Sequence, residues 1–267
     1  MVSIPESAST APSLRGRLAL VTGSTGGIGQ AIARRLAVAG CDIALHGLAT
    51  PEEAAPAVAA IAESGVRVRY CRADLADPAA IAAMIESAGA IDILVNNAAT
   101  RHFGAVEKTD PAAWNMDLAV NLSAAFHAIR LALPGMRRRG FGRIVNMSSI
   151  YGLVGTRDRV GYVTTKTALI GLTRAVALET AESGITCNAV CPGSTMTPSI
   201  ETRIRAIMDE AGISAQAAAA RFLAGKQPTG RFVDAEAIAA MVSFLCSPAA
   251  RDITGTALPM DGGWSAG

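Results

Sequence analysis

A tyrosine and a lysine stand four residues apart in YVTTK, residues 162–166. On a helix, Tyr162 and Lys166 share one face and can approach each other. A nearby ammonium favours the phenolate, so it lowers the pKa of a tyrosine from its usual value of about 10. Such a phenol can act as a general acid or base near neutral pH. Ser149 ends a predicted strand, so we expect its hydroxyl to hydrogen-bond a reacting oxygen beside them.

A Tyr–Lys pair at this spacing is common by chance, and its interpretation depends on a glycine-rich segment near the start of the chain. TGSTGGIG, residues 22–29, lies between an apolar run and a helical pattern expected to begin near Gln30. Glycines permit a tight turn and a close approach of pyrophosphate, and a helix N-terminus supplies amides for an anion. A plain strand-to-helix turn is the alternative. Together, the two motifs predict an acid–base pair beside a bound dinucleotide.

The end of the second predicted strand bears on which dinucleotide is bound. It reads LHGLA, residues 45–49, with no Asp or Glu to hold a ribose 2′-hydroxyl. It has no Arg or Lys to meet a 2′-phosphate either, and Gly26 occupies a loop position where a basic residue could do so. The missing positive charge favours NAD over NADP.

Three arginines follow the fourth, fifth and sixth predicted strands, namely Arg101, Arg159 and Arg203. Ligands of open parallel sheets lie beyond the carboxyl ends of the strands. Because a guanidinium fork fits carboxylate, phosphate or sulfonate oxygens, we expect a small anionic substrate with at least one carboxylate and room for a second anionic group. The alternative is that Arg159 and Arg203 pair with Asp158, with Glu201 or with a neighbouring subunit.

These side chains need a parallel sheet to position them. Seven short apolar runs alternate with alanine-rich helical segments, at residues 17–23, 42–47, 66–74, 92–98, 143–149, 185–193 and 257–263. Strands separated mainly by helices predict an α/β fold, a Rossmann-type doubly wound parallel seven-stranded sheet. We expect a tail over residues 1–14, a single domain over 15–267 and a helical lid over about 194–226.

Composition excludes several other classes of protein. The formal net charge is +2, which gives no reason to expect a nucleic-acid partner. No apolar run reaches the roughly 18 residues of a membrane span, and no signal pattern begins the chain. The five cysteines form no CxxC pair, and His46, His102 and His127 show no metal-ligand spacing. We therefore expect a cytoplasmic protein with reduced thiols, no metal site and no membrane partner, in which Trp114 and Trp264 serve packing or, for Trp264, a subunit interface.

Across residues 15–264 the chain resembles the short-chain dehydrogenase/reductase family. The motifs that carry the resemblance are TGSTGGIG (22–29), Asp74-Leu75, NNAA (96–99), Asn121, Ser149, YVTTK (162–166), Pro192-Gly193 and DGG (261–263). Ala99 stands where the family usually has glycine.

The resemblance implies a catalytic tetrad of Asn121, Ser149, Tyr162 and Lys166. In it, Tyr162 moves the hydroxyl proton, Lys166 holds the nicotinamide ribose and Asn121 organises a water chain. It also implies that Asp74 touches adenine, that Asn97 borders the cofactor and that Thr197 meets the carboxamide. The full implied cofactor set is Gly23, Thr25, Gly27, Ile28, Gly29, Leu48, Asp74, Leu75, Asn97, Ala98, Tyr162, Lys166, Pro192, Gly193, Thr195 and Thr197.

Within the family, the chain is most similar to the bacterial D-3-hydroxybutyrate dehydrogenases, notably in GKQPTGRFV, residues 225–233. Where that group holds a carboxylate with Gln, His, Lys and Gln, this chain has Arg101, Tyr151, Arg159 and Arg203. With Ser149 and Tyr162, these form the expected substrate site of an NAD-dependent dehydrogenase acting on a small hydroxy acid.

The resemblance further implies a homotetramer, with helices around 105–135 and 155–182 at one interface and the C-terminal strand at another. Sugar or polyol oxidation and 3-oxoacyl reduction remain alternatives within the family. A cofactor-binding sensor without catalysis is a third, which the complete tetrad disfavours.

Overall fold

The computed structural model describes residues 14–266, apart from the side chain of Ser199. Most of the expected N-terminal tail therefore lies outside the described residues. Leu14 belongs to the folded part, because it is buried and its amide donates to the carbonyl of Ala39 at 2.8 Å.

The described chain contains one parallel sheet in the order β3-β2-β1-β4-β5-β6-β7. Its strands are β1 (Leu18–Val21), β2 (Asp42–Gly47), β3 (Val68–Arg72), β4 (Ile93–Asn96), β5 (Gly142–Met147), β6 (Ile185–Pro192) and β7 (Ala257–Met260). Strands β4, β5 and β6 are buried along their whole length, as continuous apolar runs between two helical layers should be. The prediction of a doubly wound seven-stranded sheet is confirmed.

Nine α-helices accompany the sheet in the described residues: α1 (Gly27–Val38), α2 (Pro51–Ala62), α3 (Pro78–Ala88), α4 (Pro111–Leu118), α5 (Ala124–Arg139), α6 (Val160–Thr180), α7 (Pro198–Ala211), α8 (Ala215–Leu223) and α9 (Ala235–Cys246). Helix α1 begins at Gly27, three residues before the predicted start, because its first turn is formed by the glycine-rich segment itself.

Small and branched side chains fill both faces of the sheet. Ile32 of α1 and Val242 of α9 belong to the core on one face, and Met84 of α3 and Ile129 of α5 to the core on the other. All five cysteines are buried free thiols, and burial raises the pKa of Cys41 and Cys187 to about 12.

Helices α4 and α5 form one continuous rod, because a single turn of π-helix, Ala119–Ser123, joins them. The rod Pro111–Arg139 is long and apolar enough to pass a length-and-composition test for a membrane span, which the sequence analysis did not anticipate. One side of α5, including Ala128 and Met136, packs in the core, as in the core helix of a globular domain.

The lid consists of α7 and α8, which share a small apolar core of their own around Ile204 and Phe222. Both ends of the lid are tied together. The amide of Val233 donates to Ser194 O at 2.8 Å, and buried Gln227 accepts from Ser194 N and donates to Arg231 O. The lid therefore projects from one fixed base at the carboxyl end of β6.

Candidate active site

The predicted catalytic pair lies on the buried face of α6. Tyr162 and Lys166 are 5% and 2% exposed, and the Lys166 Nζ is 5.6 Å from the Tyr162 ring centroid. Lys166 also donates to Met147 O at 2.7 Å, which fixes the ammonium at the end of β5. Ser149 follows that strand and caps the next turn, accepting from Tyr151 N at 3.2 Å.

Two opposing effects act on the phenol. Burial raises the pKa of Tyr162, whereas the charges of Lys166 and Arg101 lower it. Hydrogen bonds from Arg101 and Ser149 lower it further, so the pKa ends below its usual value. Burial also lowers the pKa of Lys166, although its proximity to Tyr162 works in the other direction. The site thus favours the phenolate that general base chemistry needs.

Asn121 lies in the π-helical turn, behind the catalytic pair. Its Oδ1 accepts from Thr100 N at 2.7 Å, and its Nδ2 donates to Thr165 Oγ1 at 3.2 Å. A π turn contains one extra residue, which rotates this side chain toward β4 and α6. Asn121 therefore lines a small inner cavity with Leu75 and Ala98 rather than the main pocket.

The glycine-rich segment has the shape of a phosphate cradle. Gly23 and Gly27 have φ values of 61° and 56°, and a Cβ at Gly29 would overlap Gly23 O. By contrast, Cβ atoms at Gly26 and Gly27 would meet nothing within 4 Å. No side chain caps the start of α1. Open space above an uncapped helix N-terminus fits a pyrophosphate.

His46 holds this cradle from below, a role that sequence reasoning missed. Its Nδ1 accepts from Gly23 N at 3.0 Å, and its Nε2 donates to Ala73 O at 3.0 Å. These partners fit only a neutral ring. Burial lowers the pKa of His46, against the opposing effect of its bond to Ala73. Asn97 adds a second support, donating to Thr22 O at 2.9 Å and Gly23 O at 3.0 Å.

The end of β2 differs from the interpretation made from its sequence. Leu48, a member of the implied cofactor set, is 66% exposed there, but the neighbouring strand brings a guanidinium to it. Arg72 Nε donates to Leu48 O at 3.0 Å. The expectation of no positive charge at this tip is therefore wrong. Asp74 accepts from Ala76 N at 2.9 Å, and Leu75 is buried in the core.

One pocket at the carboxyl edge of the sheet gathers most predicted substrate and nicotinamide residues. Its lining includes Ile28, Asn97, Arg101, Ser149, Tyr151, Arg159, Tyr162, Lys166, Pro192, Gly193, Thr195, Thr197 and Arg203. Outside it are Gly23, Thr25, Gly27, Gly29, Leu48, Asp74, Leu75, Ala98 and Asn121. Within residues 14–266, no Asp or Glu lines this pocket, and no cluster of three or more His, Cys, Asp or Glu is suited to a metal.

The arginines of the pocket contact aromatic rings. The Arg159 guanidinium lies 4.4 Å from the Phe103 ring centroid and 5.3 Å from that of Tyr151. Arg203 lies 5.8 Å from the Phe103 centroid. Over the described range, neither arginine forms an ion pair. Pairing with Asp158 or Glu201, which the sequence left open, is therefore absent from this chain.

A strained loop positions Arg159. Asp158 has φ of 60°, the one positive value for a non-glycine residue in the described chain. Its carbonyl accepts from Gly104 N at 3.0 Å, and Gly104 also forms a β-bridge with Arg159. The loops after β4 and β5 are thus joined across the pocket mouth. Strain of this kind is common at ligand sites.

Lys226 and Trp264 are among the pocket residues that were not predicted as site residues. Lys226 lines the pocket from the end of the lid, within the GKQPTGRFV segment. Trp264 lines it from the C-terminal turn, with its ring centroid 5.4 Å from that of Tyr151. Buried Asp261 holds this turn by accepting from Ser265 N at 2.8 Å. The interpretation of Trp264 as a packing or interface residue overlooked this place.

His102 lies beside the pocket rather than in its lining. Its Nδ1 is 2.9 Å from an oxygen of buried Asp117, which also accepts from Thr100 Oγ1 at 2.6 Å. This pair braces the loop that carries Arg101. Asp117 gave no signal in the sequence, because only folding brings it to that loop.

Comparisons with known proteins agree with this geometry. A family profile described as enoyl-(acyl carrier protein) reductase matches residues 23–265. The D-beta-hydroxybutyrate dehydrogenase of Cupriavidus necator is 43% identical over 257 residues, covering 95% of this chain and 99% of that protein. The 2-keto-3-deoxy-L-fuconate dehydrogenase of Xanthomonas campestris pv. campestris is 37% identical over 265 residues, covering 99% and 84%.

A solved structure from Agrobacterium tumefaciens with bound NADP has a TM-score of 0.82 and 34% identity, covering 96% of this chain and 98% of its own. Fold, catalytic side chains and relatives lead to one conclusion. The chain belongs to the short-chain dehydrogenase/reductase family and is an oxidoreductase of the alcohol dehydrogenase type.

Proposed function

We propose that this chain is an NAD-dependent dehydrogenase that interconverts a secondary alcohol and a ketone on a small carboxylate-bearing hydroxy acid. The observation that carries the proposal is the pocket lining, in which Arg101 lies beside Tyr162, Arg159 and Arg203 add two further guanidinium groups, and none of the described residues is an Asp or Glu. Such a pocket attracts an anionic substrate and has no carboxylate in its described lining to repel one. The name of the Cupriavidus necator relative supports a 3-hydroxybutyrate-like substrate.

In the proposed mechanism, Ser149 donates a hydrogen bond to the reacting oxygen and Tyr162 accepts the hydroxyl proton. The Lys166 ammonium stabilises the phenolate and binds the nicotinamide ribose. A bound nicotinamide supplies the hydride acceptor. Arg101 acts on the phenol and on the substrate. Its charge lowers the pKa of Tyr162, and its guanidinium lines the pocket in which the substrate carboxylate would bind. Asn121 organises water behind Lys166 in this proposal.

The choice of NAD rests on Gly26, which offers no cation to a 2′-phosphate, and on the lack of a basic residue within LHGLA, residues 45–49. Arg72 is the counter-argument, since it reaches Leu48 O, and the Agrobacterium structure contains NADP. The test compares kcat/KM for NAD and NADP in wild type and Arg72→Ala. We expect at least about a tenfold preference for NAD, about 1.4 kcal/mol. Equal or better turnover with NADP contradicts the choice.

A substrate panel tests the reaction itself. Hydroxy acids, sugar acids, neutral polyols and 3-oxoacyl thioesters are each assayed with both cofactors by nicotinamide absorbance. Hydroxy acids should be turned over best, and Arg101→Ala should raise KM for them without changing the KM for NAD. A neutral polyol as best substrate contradicts the proposal. The Xanthomonas relative makes a sugar acid the second candidate, because that substrate class also carries a carboxylate.

We further propose a homotetramer in the cytoplasm. Exposed apolar side chains on α5 and α6, such as Phe126 and Leu178, support burial of those helices between subunits. Five free cysteines support a reducing compartment.

A further inference from the structure

Three cations gather at the lid side of the pocket, and we name Arg159, Arg203 and Lys226 the distal cluster. Arg159 and Arg203 both contact the ring of Phe103, at 4.4 and 5.8 Å from its centroid. Arg203 and Lys226 both contact the ring of Phe222, at 5.4 and 3.8 Å. Two aromatic rings thus hold three positive charges from three different elements side by side.

Nothing in the described chain neutralises this cluster. None of its members forms an ion pair within residues 14–266, and no acidic residue lines the pocket. Lys226 donates to Phe222 O at 2.7 Å, but neither guanidinium bonds to a described acceptor. Each guanidinium offers five N–H donors. Burial lowers the pKa of Lys226, and the charges of Arg203 and Arg159 lower it further. Like charges with unused donors mark a place for an anion.

We infer that the substrate carries two anionic groups and that the distal cluster binds the second one. The inference rests on the proposed function, in which the first carboxylate lies near Arg101. The Arg101 guanidinium is 5.4 Å from the Tyr162 ring centroid, whereas Arg203 and Lys226 contact the lid ring of Phe222. One carboxylate beside the phenol leaves the lid cations unpaired. The second group is an oxyanion: a carboxylate, a sulfonate or a phosphate.

Matched substrates test the count of charges. 3-Hydroxyglutarate is 3-hydroxybutyrate with a carboxylate added to its terminal methyl, and 3-hydroxypentanoate adds a methyl there instead. The 4-sulfo and 4-phosphooxy derivatives of 3-hydroxybutyrate separate the three kinds of oxyanion. We expect the best dianion to exceed both monoanions in kcat/KM by at least about tenfold. A preference for either monoanion overturns the inference.

Variants of the distal cluster test whether it causes the preference for the dianion. Arg203→Gln and Lys226→Met should each lower kcat/KM at least about tenfold more for the dianion than for 3-hydroxybutyrate. Methionine keeps the apolar contact with Phe222, so Lys226→Met removes mainly the charge. Arg205→Gln, on the same helix but outside the pocket lining, is the control and should leave both values unchanged. Equal losses for both substrates contradict the inference.

A binding measurement separates this inference from the proposed reaction. Titration calorimetry compares inert glutarate with butyrate on the enzyme saturated with NAD. Tighter, Lys226-dependent binding of glutarate supports the cluster even if no hydroxy acid is oxidised, in which case the proposed reaction alone fails. Turnover of hydroxy acids with no advantage for glutarate leaves the reaction standing and overturns the two-anion inference.

Discussion

At the scale of single residues, catalysis depends on one phenol. Replacing Tyr162 by Phe removes the proton-transfer group while keeping the ring, so we expect a loss of kcat of about a hundredfold or more. Cofactor affinity, measured by quenching of protein fluorescence or by calorimetry, should stay near the wild-type value. Tyr70→Phe is the matched control, because Tyr70 donates to Ala49 O and does not line the pocket that contains Tyr162. Near-normal kcat in Tyr162→Phe contradicts the mechanism.

Arg101 should control the pH dependence of the same step. Alcohol oxidation needs the phenolate, so its rate rises with pH through the pKa of Tyr162 and then levels off. Because the charge and hydrogen bond of Arg101 lower that pKa, Arg101→Gln should raise it and move the rising limb of kcat/KM to higher pH. The pH profile of oxidation measures the shift. An unchanged limb with a raised KM means that Arg101 contacts only the substrate.

At the scale of elements, the loop that leads into α6 contains a strained backbone conformation. Asp158 adopts φ of 60°, a region that β-branched residues strongly avoid. Asp158→Val should therefore destabilise the protein by about 1–2 kcal/mol and raise KM for the acidic substrate, since Arg159 follows directly. Asp158→Gly is the control, and it should keep the wild-type stability and the wild-type KM for the acidic substrate. Thermal unfolding and substrate kinetics measure the two effects, and equal behaviour of both variants contradicts the role of strain.

Sequence periodicity was sufficient to locate the elements that bury a regular apolar face. All seven strands occur where short apolar runs predicted them. The π turn around Asn121 gave no signal, because Asn121 is held by hydrogen bonds to Thr100, after β4, and to Thr165 of α6, which only folding brings near. Lys226 and Trp264 were missed for a related reason: their places in the pocket depend on the lid base and the C-terminal turn, which contacts distant in sequence create.

At the scale of the whole molecule, the tetramer is the main prediction. Leu178 is 80% exposed on α6 and Phe126 47% exposed on α5, in the two helices expected at one interface. Phe126→Asp and Leu178→Asp would bury a charge there, so both should shift the mass measured by light scattering from tetramer to smaller species. Val38→Asp, at a site 72% exposed at the end of α1, should remain tetrameric. A monomeric wild-type protein at micromolar concentration rules out the assembly.

The closed base of the lid has a consequence for how such enzymes diversify. Gln227 and the Val233 amide tie the segment's two ends together at Ser194, so the chain leaves the end of β6 and returns to the same point before α9 begins. Inserts with adjoining ends tolerate exchange, because neither the spacing nor the register of the strands depends on their content. We therefore expect residues 195–226 to behave as a replaceable cassette. Grafting the equivalent cassette from a relative should transfer its preference of substrate while the Tyr162 chemistry continues unaltered.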